Sequence, residues 1–217
     1  MTDFRGFPLE YHDVSVAGRD FRFAMVRNAW ELLDKIDPDE FRESEKMPYW
    51  AEIWPGSLVL SSYLVSHMAD RTKSVLEIGA GVGVTSVVLS SFGFTCTATD
   101  YDEDAIEFMK LNASLNQTTI GTRFLDWTQP PADLKADLIV GSDIIYEVRN
   151  LLPILDVVRR CLNPGGAFYF SDPGRRPMDH FRVLVREAGY HLREVWSEPF
   201  RFRHATPTVS IYQLTVT

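Results

Sequence analysis

Short apolar runs and longer mixed segments alternate from Ser74 to the end of the chain. The short runs are rich in β-branched residues, which is typical of buried strands, and the mixed segments have the length and apolar spacing of helices. The predicted strands cover residues 74–78, 94–99, around 120–124, 136–142, 166–171, 190–196 and 208–216, and the predicted helices lie near 84–92, 102–115, 149–161 and 177–188. Repeated strand–helix units with right-handed crossovers predict a parallel, doubly wound sheet.

The last two predicted strands are joined by Ser197 to Pro207, a stretch without a helical pattern. These strands are therefore expected to form an antiparallel hairpin at the edge of the sheet. Upstream, Asn163 to Gly166 is expected to break the helix before the fifth strand. The predicted fold class is α/β: a Rossmann-like, doubly wound, seven-stranded and mostly parallel sheet with a terminal antiparallel hairpin and an N-terminal extension.

The N-terminal region follows a different pattern. Tyr11 to Val26 alternates well enough to predict two short strands around a turn at Ala17 to Asp20, and Asn28 to Ile36 predicts one or two helical turns. Asp37 to Lys46 is charged and contains a proline, which predicts a loop, although part of it has helical character. These features indicate an extension ahead of the main domain.

The main domain is expected to begin shortly before an apolar helix. Pro55 to Met68 predicts an amphipathic helix with proline at its first position and Leu58, Leu60, Tyr63 and Leu64 on its inner side. A chain of 217 residues suits one α/β domain with a full core. We assign residues 1–47 to the N-terminal extension and residues 48–217 to the main domain.

Composition argues against several classes of protein. The 22 Lys and Arg residues against 30 Asp and Glu residues give a net charge of −8, which argues against general nucleic-acid binding. No apolar run reaches the ~18 residues that a membrane-spanning helix needs. The segment Met1 to Glu10 lacks the apolar core of a secretory signal.

The two cysteines, Cys96 and Cys161, fall on predicted core elements, which favours reduced thiols and a cytoplasmic location. The five histidines are scattered without the spacing of metal ligands, so no metal site is expected.

The most informative segment is a glycine turn between a strand and a helix. The predicted strand at 74–78 ends in Gly79, Gly81 and Gly83, and a helix begins at Val84. Glycine tolerates positive φ and has no Cβ, so the backbone can bend sharply and let a ligand lie against it. Such a turn at the carboxyl end of a parallel strand predicts a nucleotide-type cradle.

The spacing of the glycines and two carboxylates suggests which nucleotide. The dinucleotide fingerprint is G-x-G-x-x-G, whereas this chain has G-x-G-x-G with Glu77 just ahead of it. Asp100 ends the next apolar run, 23 residues after Glu77, where it can accept both ribose hydroxyls. Two carboxylates without a phosphate clamp fit the sulfonium and ammonium of S-adenosylmethionine. A nicotinamide-type Rossmann domain and a glycine turn without function are the alternatives.

Further polar groups follow the third and fourth predicted strands. Asp126 and Trp127 are placed to meet an adenine ring. The alternatives are that Asp126 is only a turn residue and that Trp127 is a partly exposed aromatic side chain without a ligand. Asp143 and Tyr146, with Glu147, lie at the switch point of the strand order, where a methyl acceptor should approach and where polar groups can orient an amine. The alternative is that Asp143 caps the next segment and Tyr146 only packs.

Two outer segments complete the candidate site. Trp50 and Trp54 are four residues apart, so a helix or turn would place them on one face as a wall of the cleft, unless they simply pack in the core. Six arginines could form a basic rim for substrate steering or only a solvated face: Arg175, Arg176, Arg182, Arg186, Arg201 and Arg203.

Together these motifs resemble the seven-β-strand S-adenosylmethionine-dependent methyltransferases. The segments that carry the likeness are residues 49–55 (Tyr-Trp-Ala-Glu-Ile-Trp-Pro), 77–83 (Glu-Ile-Gly-Ala-Gly-Val-Gly), Asp100, 125–127 (Leu-Asp-Trp) and 142–147 (Ser-Asp-Ile-Ile-Tyr-Glu). More narrowly, they resemble the protein lysine methyltransferases with an Asp-x-x-Tyr motif after the fourth strand, especially those that modify the electron-transfer flavoprotein β subunit. The likeness covers about residues 48–217.

The resemblance implies S-adenosylmethionine as cofactor, transfer of its methyl group to an amine, and a lysine of a protein partner as acceptor. It assigns the cofactor to Trp54, Glu77, Gly79, Gly81, Asp100, Asp126, Trp127 and Ser142. It assigns catalytic roles on the acceptor side to Asp143 and Tyr146.

The sequence leaves the acceptor open, because residues 1–47 match no motif of this family and substrate recognition varies in this region among such enzymes. A small-molecule N- or O-methyltransferase is one alternative, and a catalytically silent S-adenosylmethionine-binding module is another. An RNA methyltransferase is disfavoured by the net charge of −8 and by the lack of an Asn/Asp-Pro-Pro-Tyr element.

Overall fold

A computed structural model describes residues 2–35 and 47–216. Its main feature is a seven-stranded sheet in the order β6-β5-β4-β7-β8-β10-β9. The strands are β4 (Ser74–Ile78), β5 (Thr95–Asp100), β6 (Gly121–Phe124), β7 (Ala136–Ser142), β8 (Leu162–Asp172), β9 (Tyr190–Pro199) and β10 (Thr208–Val216). Strands β4 to β8 pair in parallel, and β10 pairs antiparallel with both β8 and β9. The predicted α/β sheet and its terminal hairpin are confirmed.

Five α-helices accompany the sheet within the described residues. They are α1 (Pro55–His67), α2 (Val84–Ser91), α3 (Glu103–Leu115), α4 (Leu151–Cys161) and α5 (Pro177–Glu187). Successive strand residues point to opposite faces of a sheet. In β7, Leu138 and Val140 accordingly join the apolar cluster under α1 to α3, while Ile139 joins the cluster under α4 and α5. Both faces are covered, as a parallel sheet requires.

Strand β8 begins earlier than the sequence pattern indicates. Helix α4 ends at Cys161, and Leu162 pairs at once with Ala136. Asn163 to Gly166 therefore lies within the strand instead of in a separate linker, across an irregularity in the pairing. The expected helix end is confirmed, but the predicted start of the strand at 166 is wrong because the chain already pairs with β7 at Leu162 and resumes regular pairing at Ala167.

The prediction that α1 is amphipathic is wrong. Residues from Gly56 to Ser61 are buried in succession, so the helix has no polar face along its first turns. It lies against β7, β8, β10, α2 and the N-terminal strand β2. The hydroxyls that face this environment are satisfied locally, since Ser57 Oγ donates to the Trp54 carbonyl at 2.7 Å. Tyr63, expected on the inner side, is only half-buried.

The N-terminal residues form a small antiparallel sheet of β1 (Asp3–Phe4), β2 (Phe7–Val16) and β3 (Arg19–Val26), followed by a 3-10 helix at Ala29–Lys35. The predicted hairpin is confirmed, with its turn at Ala17 and Gly18 in left-handed conformation. The 3-10 helix agrees with the helical turns predicted from Asn28 onward. The loop predicted for residues 37–46 lies outside the described residues. Phe21 and Phe23 of β3 join the apolar cluster under α1 to α3.

Helix α3 attaches this small sheet to the main domain through two asparagine side chains. Asn112 accepts from the Ala24 amide at 2.7 Å and donates to the Ala24 carbonyl at 3.0 Å. Asn116 does the same at Arg22, at 3.0 and 2.9 Å. The two amides pair with the free edge of β3 as a neighbouring strand would. The domain boundary at residue 47 stays a prediction.

Candidate active site

The glycine turn after β4 is shaped by close contacts that leave no room for side chains. Gly79 and Gly81 have φ of 63° and 54°. A Cβ on Gly79 would lie 3.0 Å from the Trp127 ring, and one on Gly81 would lie 3.0 Å from the Trp50 carbonyl oxygen. The glycines therefore let the backbone turn sharply beneath Trp50 and Trp127.

Glu77, assigned to the cofactor from the sequence, has its side chain elsewhere. It is fully buried and is not among the residues that line the cavity described below. Its Oε2 accepts from the Ser86 amide at 2.8 Å, which caps the first turn of α2 from the neighbouring strand. Burial raises the pKa of Glu77 to about 7, against the opposing effect of the hydrogen bond from the Ser86 amide. Glu77 thus supports the glycine turn and does not line it.

Asp100, at the end of β5, is held directly against the turn. Its Oδ2 accepts from the Gly81 amide at 2.9 Å, and its Oδ1 accepts from the Asp102 amide at 3.1 Å. Burial raises the pKa of Asp100 to about 6, although these amides act in the opposite direction. The carboxylate is fixed at the carboxyl end of the sheet, next to the cradle that the glycines form.

A cavity of about 740 Å³ opens at this end of the sheet. Every site residue predicted from the sequence except Glu77 lines it: Trp54, Gly79, Gly81, Asp100, Asp126, Trp127, Ser142, Asp143 and Tyr146. Its size is within the ~300–1,000 Å³ usual for cofactor and ligand pockets. The carboxyl ends of the strands thus bring together groups that are up to 92 residues apart in the chain, from Trp54 to Tyr146.

Asp126 is a turn residue and also lies in the cavity wall. Its Oδ1 accepts from the amide and the hydroxyl of Thr128, at 2.8 and 2.7 Å, which makes it a turn residue. It also lines the cavity beside Trp127, whose ring lies against Gly79. The turn fixes where this carboxylate stands at the end of β6.

Three aromatic side chains form one wall of the cavity. The Tyr49 ring meets the rings of Trp54 and Tyr146 edge to face, with centroids 5.8 and 5.4 Å away. Trp54 Nε1 donates to the Tyr49 carbonyl at 2.9 Å. Tyr49 is not among the site residues predicted from the sequence, although its place in the Tyr-Trp-Ala-Glu-Ile-Trp-Pro segment could have indicated that it lies at the site. Burial raises the pKa of Tyr146 to about 12, so its phenol stays protonated at neutral pH.

Trp50 and Trp54 do not form the single face expected from their spacing. The 3-10 helix that holds Trp50 ends at Ala51, before Trp54 is reached. Trp50 packs against Phe7 and Phe108, whereas Trp54 packs against Tyr49. Both residues line the cavity, but Trp50 mainly joins it to the core.

Asp143 is held by contacts from three parts of the chain. Its backbone is left-handed, with φ of 59°, and its amide donates to the Ser171 carbonyl at 3.1 Å. Its Oδ2 accepts from the Gly56 amide at the start of α1, at 3.0 Å, and its Oδ1 accepts from Arg175 Nη1 at 2.7 Å. Burial raises the pKa of Asp143, and the adjacent Arg175 opposes this rise.

The basic rim considered for the arginines is wrong for the cavity, which is predominantly acidic. Arg175 alone of those six arginines lines it, and Arg149 is the other arginine that the described residues contribute to its wall. Each of the two lies 2.7 Å from a cavity carboxylate. The acids of the wall within residues 2–35 and 47–216 are Glu52, Asp100, Asp102, Asp126, Asp143 and Glu147. An excess of carboxylates in a recessed site favours a cationic ligand.

These features fit S-adenosylmethionine. The glycine turn leaves room for a ligand against the backbone, Asp100 offers a carboxylate for ribose hydroxyls, and the acidic wall suits a sulfonium and an ammonium. Among residues 2–35 and 47–216, no group of three or more His, Cys, Asp or Glu side chains is placed to hold a metal ion. No helix in those ranges is long and apolar enough to cross a membrane.

The doubly wound fold and this cavity define an S-adenosylmethionine-dependent methyltransferase of the seven-strand class. The chain belongs to the lysine methyltransferase family, whose model matches residues 38–182. The family and cofactor predicted from the sequence are confirmed.

Named relatives agree with this placement. The chain is similar to protein N-lysine methyltransferase METTL21A of Xenopus tropicalis, with 30% identity over 155 residues, which cover 67% of this chain and 71% of the relative. It is 28% identical to the electron transfer flavoprotein beta subunit lysine methyltransferase of Danio rerio, over 67% of this chain and 58% of the relative.

A solved structure is similar in fold alone. It is the 16S rRNA N2 G1207 methyltransferase of T. thermophilus, in complex with AdoMet and guanosine. It has a TM-score of 0.65 and 16% identity, covering 94% of this chain and 50% of that chain.

Proposed function

We propose that this enzyme transfers the methyl group of S-adenosylmethionine to the side-chain nitrogen of a lysine in a protein partner. The observation that carries this proposal is the cavity itself, in whose wall the described part of the chain combines six carboxylates with the aromatic rings of Tyr49, Trp54 and Tyr146. Carboxylates attract a lysine ammonium, and aromatic faces attract cations as well. The names of METTL21A and the flavoprotein-directed relative support the same acceptor class.

We assign one part of the cavity to the cofactor. In this assignment Asp100 accepts the ribose hydroxyls, Trp127 and Asp126 meet the adenine, and Trp54 covers the bound molecule. Ser142 and the backbone at Gly79 and Gly81 complete the cofactor site. Glu77 acts indirectly, by fixing the first turn of α2 behind the glycines.

We assign Asp143 and Tyr146 to the acceptor. The amine lone pair attacks the methyl carbon, the carbon–sulfur bond breaks, and its electrons remain on sulfur in S-adenosylhomocysteine. A protonated amine has no lone pair, so the ammonium must first release a proton to water. Asp143 accepts a hydrogen bond from the amine, and the protonated Tyr146 phenol orients it. Alignment of nitrogen, carbon and sulfur is the main contribution of the protein.

We also propose a cytoplasmic location, supported by the two cysteines. Cys96 and Cys161 are both free and buried. Such thiols are typical of proteins that work in a reducing compartment.

The acceptor class is tested by incubating the enzyme and radiolabelled S-adenosylmethionine with a lysate of its source cells. Proteins, nucleic acids and small molecules are then separated, and Asp100→Ala, which should bind the cofactor more weakly, serves as the control in which labelling should decrease in every fraction. We expect the label in the protein fraction. Label confined to small molecules would show a metabolite methyltransferase, and label in nucleic acid would show an RNA or DNA acceptor.

A further inference from the structure

Arg175 occupies a position that the motifs do not explain. It follows β8 in the segment Asp172-Pro-Gly-Arg-Arg and lines the cavity, while its neighbour Arg176 is exposed and does not. Its Nη1 donates to Asp143 Oδ1 at 2.7 Å and lies 3.7 Å from Asp172 Oδ2. Its guanidinium is 5.6 Å from the centre of a Trp54 ring. One side chain thus contacts both the acceptor-side carboxylate and the aromatic wall.

The loop that carries Arg175 is itself fixed. Asp172 is fully buried, and its Oδ1 accepts from the amides of Gly174 and Arg175, at 2.7 and 2.9 Å. These bonds hold the backbone of Arg175 at the end of β8. The guanidinium therefore reaches Asp143 from a rigid base, which is what precise positioning requires.

Asp143 is constrained more than packing alone requires. A non-glycine residue with φ of 59° is strained, and such strain persists only where the surroundings over-determine it. The carboxylate already accepts from Gly56 and Arg175, and the space beside it is so small that a Cβ on Gly56 would lie 2.1 Å from Oδ2. Asp143 therefore has one orientation in the cavity wall.

We propose that Arg175 is a positioning residue that holds Asp143 in its ionised form and in one fixed orientation toward the methyl acceptor. This inference rests on the proposed function. Arg175 supplies a charge and a hydrogen bond to a carboxylate that is 7% exposed. Without it, the Gly56 amide alone would stabilise the anion, beside the second buried carboxylate of Asp172.

The charges around Asp143 predict how its pKa changes when Arg175 is replaced. Burial favours its neutral form, and Arg175 is the strongest opposing influence on its pKa. Asp172 of β8 is the second buried carboxylate beside Arg175, and the like charge of Asp143 raises the pKa of Asp172. The other titratable groups that the described residues contribute to the cavity wall are Tyr49, Glu52, Asp100, Tyr101, Asp102, Asp126, Tyr146, Glu147 and Arg149. Within that part of the chain, the cation paired with Asp143 is Arg175.

The test compares Arg175→Gln, which removes the charge but keeps a donor, with Arg175→Lys, which keeps the charge. Arg176→Gln is the matched control at the adjacent exposed arginine. Carboxyl-carbon NMR of protein labelled at aspartate follows the titration of Asp143, whose signal is identified by its loss in Asp143→Asn. We expect the pKa of Asp143 to rise by about one unit or more in Arg175→Gln. Arg175→Lys should keep the pKa of Asp143 close to its wild-type value, and Arg176→Gln should leave this pKa unchanged.

The kinetic part uses saturating S-adenosylmethionine and, as methyl acceptor, the protein purified from the labelled protein fraction of the lysate. We expect kcat/KM at neutral pH to fall about 10²-fold in Arg175→Gln, with its acidic limb moved to higher pH. Affinity for S-adenosylhomocysteine should change less than about threefold, since Arg175 is assigned to the acceptor side. If Arg175→Gln does not fold, Arg175→Lys is the deciding variant. A lysine that gives neither the wild-type titration of Asp143 nor the wild-type rate of methyl transfer would overturn the electrostatic role.

An unchanged titration of Asp143 in Arg175→Gln would overturn the proposal, as would equal losses of cofactor affinity and rate. The NMR measurement needs no methyl acceptor. If no lysine-containing acceptor is found, the proposed function fails, but the coupling between Arg175 and Asp143 is still decided.

Discussion

At the scale of single residues, two carboxylates at one glycine turn have different roles. The motif gives Glu77 and Asp100 equal claims to the cofactor, because both stand at strand ends beside the glycines. In the structure, Glu77 caps α2 from a fully buried position, while Asp100 lines the cavity. A sequence pattern places a residue on a strand but does not tell which side of the turn its side chain occupies.

The buried position of Glu77 predicts a pH-dependent stability. Its pKa rises from 4.5 to about 7 on folding, so the folded state binds the proton more tightly. The destabilising effect of the buried anion is absent below pH 4.5 and complete above pH 7. Relative to wild type, Glu77→Gln should therefore gain stability across this window, by on the order of 3 kcal/mol.

Urea unfolding without cofactor at several pH values measures this difference. Glu198→Gln, at an exposed carboxylate of β9, is the control and should show no trend. A constant difference between Glu77→Gln and wild type would mean that Glu77 does not titrate in this range.

Asp100 should control cofactor affinity. Its pKa of about 6 means that it gains a proton as pH falls through 6, and a neutral acid is a poorer acceptor for ribose hydroxyls. We expect Asp100→Ala to weaken S-adenosylhomocysteine binding by roughly 1.5–3 kcal/mol at neutral pH. Calorimetry should also show that wild-type affinity decreases below pH 6 and that the variant lacks this decrease.

Asp133→Asn is the control for Asp100, because Asp133 is an exposed residue paired with Arg123 outside the cavity. Its affinity for S-adenosylhomocysteine should match that of wild type. Wild-type affinity in Asp100→Ala would remove Asp100 from the cofactor site.

At the scale of elements, the parallel core could be predicted closely and the segments around it less so. The bounds of β4 and β7 agree with the prediction because each is a β-branched, apolar run with a clear end. Helix α1 is buried on most sides, so its sequence has no polar stripe to reveal its orientation. The early start of β8 depends on pairing between Leu162 and Ala136, a long-range contact with no local signal.

The attachment of the N-terminal sheet to α3 predicts that replacing Asn112 lowers stability more than replacing Asn116. Asn112 is fully buried and also donates to the Val82 carbonyl at 2.8 Å, so Asn112→Ala leaves several backbone groups without partners. We expect a loss of about 2–4 kcal/mol in the free energy of unfolding. Asn116→Ala should lose about 1 kcal/mol, because water can replace its contacts at exposed Arg22.

Urea unfolding of both variants at one pH makes the comparison. Equal losses for Asn112 and Asn116 would contradict the view that burial makes the first contact the stronger one. An unchanged stability in Asn112→Ala would mean that the small sheet docks through its apolar side chains alone.

At the scale of the whole molecule, most of the cavity wall could be predicted because the carboxyl ends of parallel strands converge at one edge. Asp100 ends β5, and Asp126 and Asp143 follow β6 and β7, so their meeting follows from the topology. Tyr49 follows no strand of this sheet, and the topology does not show that the side chain of Arg175 reaches Asp143. Their positions depend on how the segment before α1 and the loop after β8 fold over the sheet.

The central claim is that this acidic, aromatic cavity passes a methyl group from S-adenosylmethionine to lysine. The most direct measurement is tandem mass spectrometry of lysate proteins after incubation with enzyme and S-adenosylmethionine that carries a deuterated methyl group. We predict the deuterated methyl on lysine side-chain nitrogen, with yield reduced about 10²-fold by Asp143→Ala although that variant binds S-adenosylhomocysteine within a few-fold of wild type. Deuterated methyl groups found on other side chains, or on no protein at all, would contradict the claim.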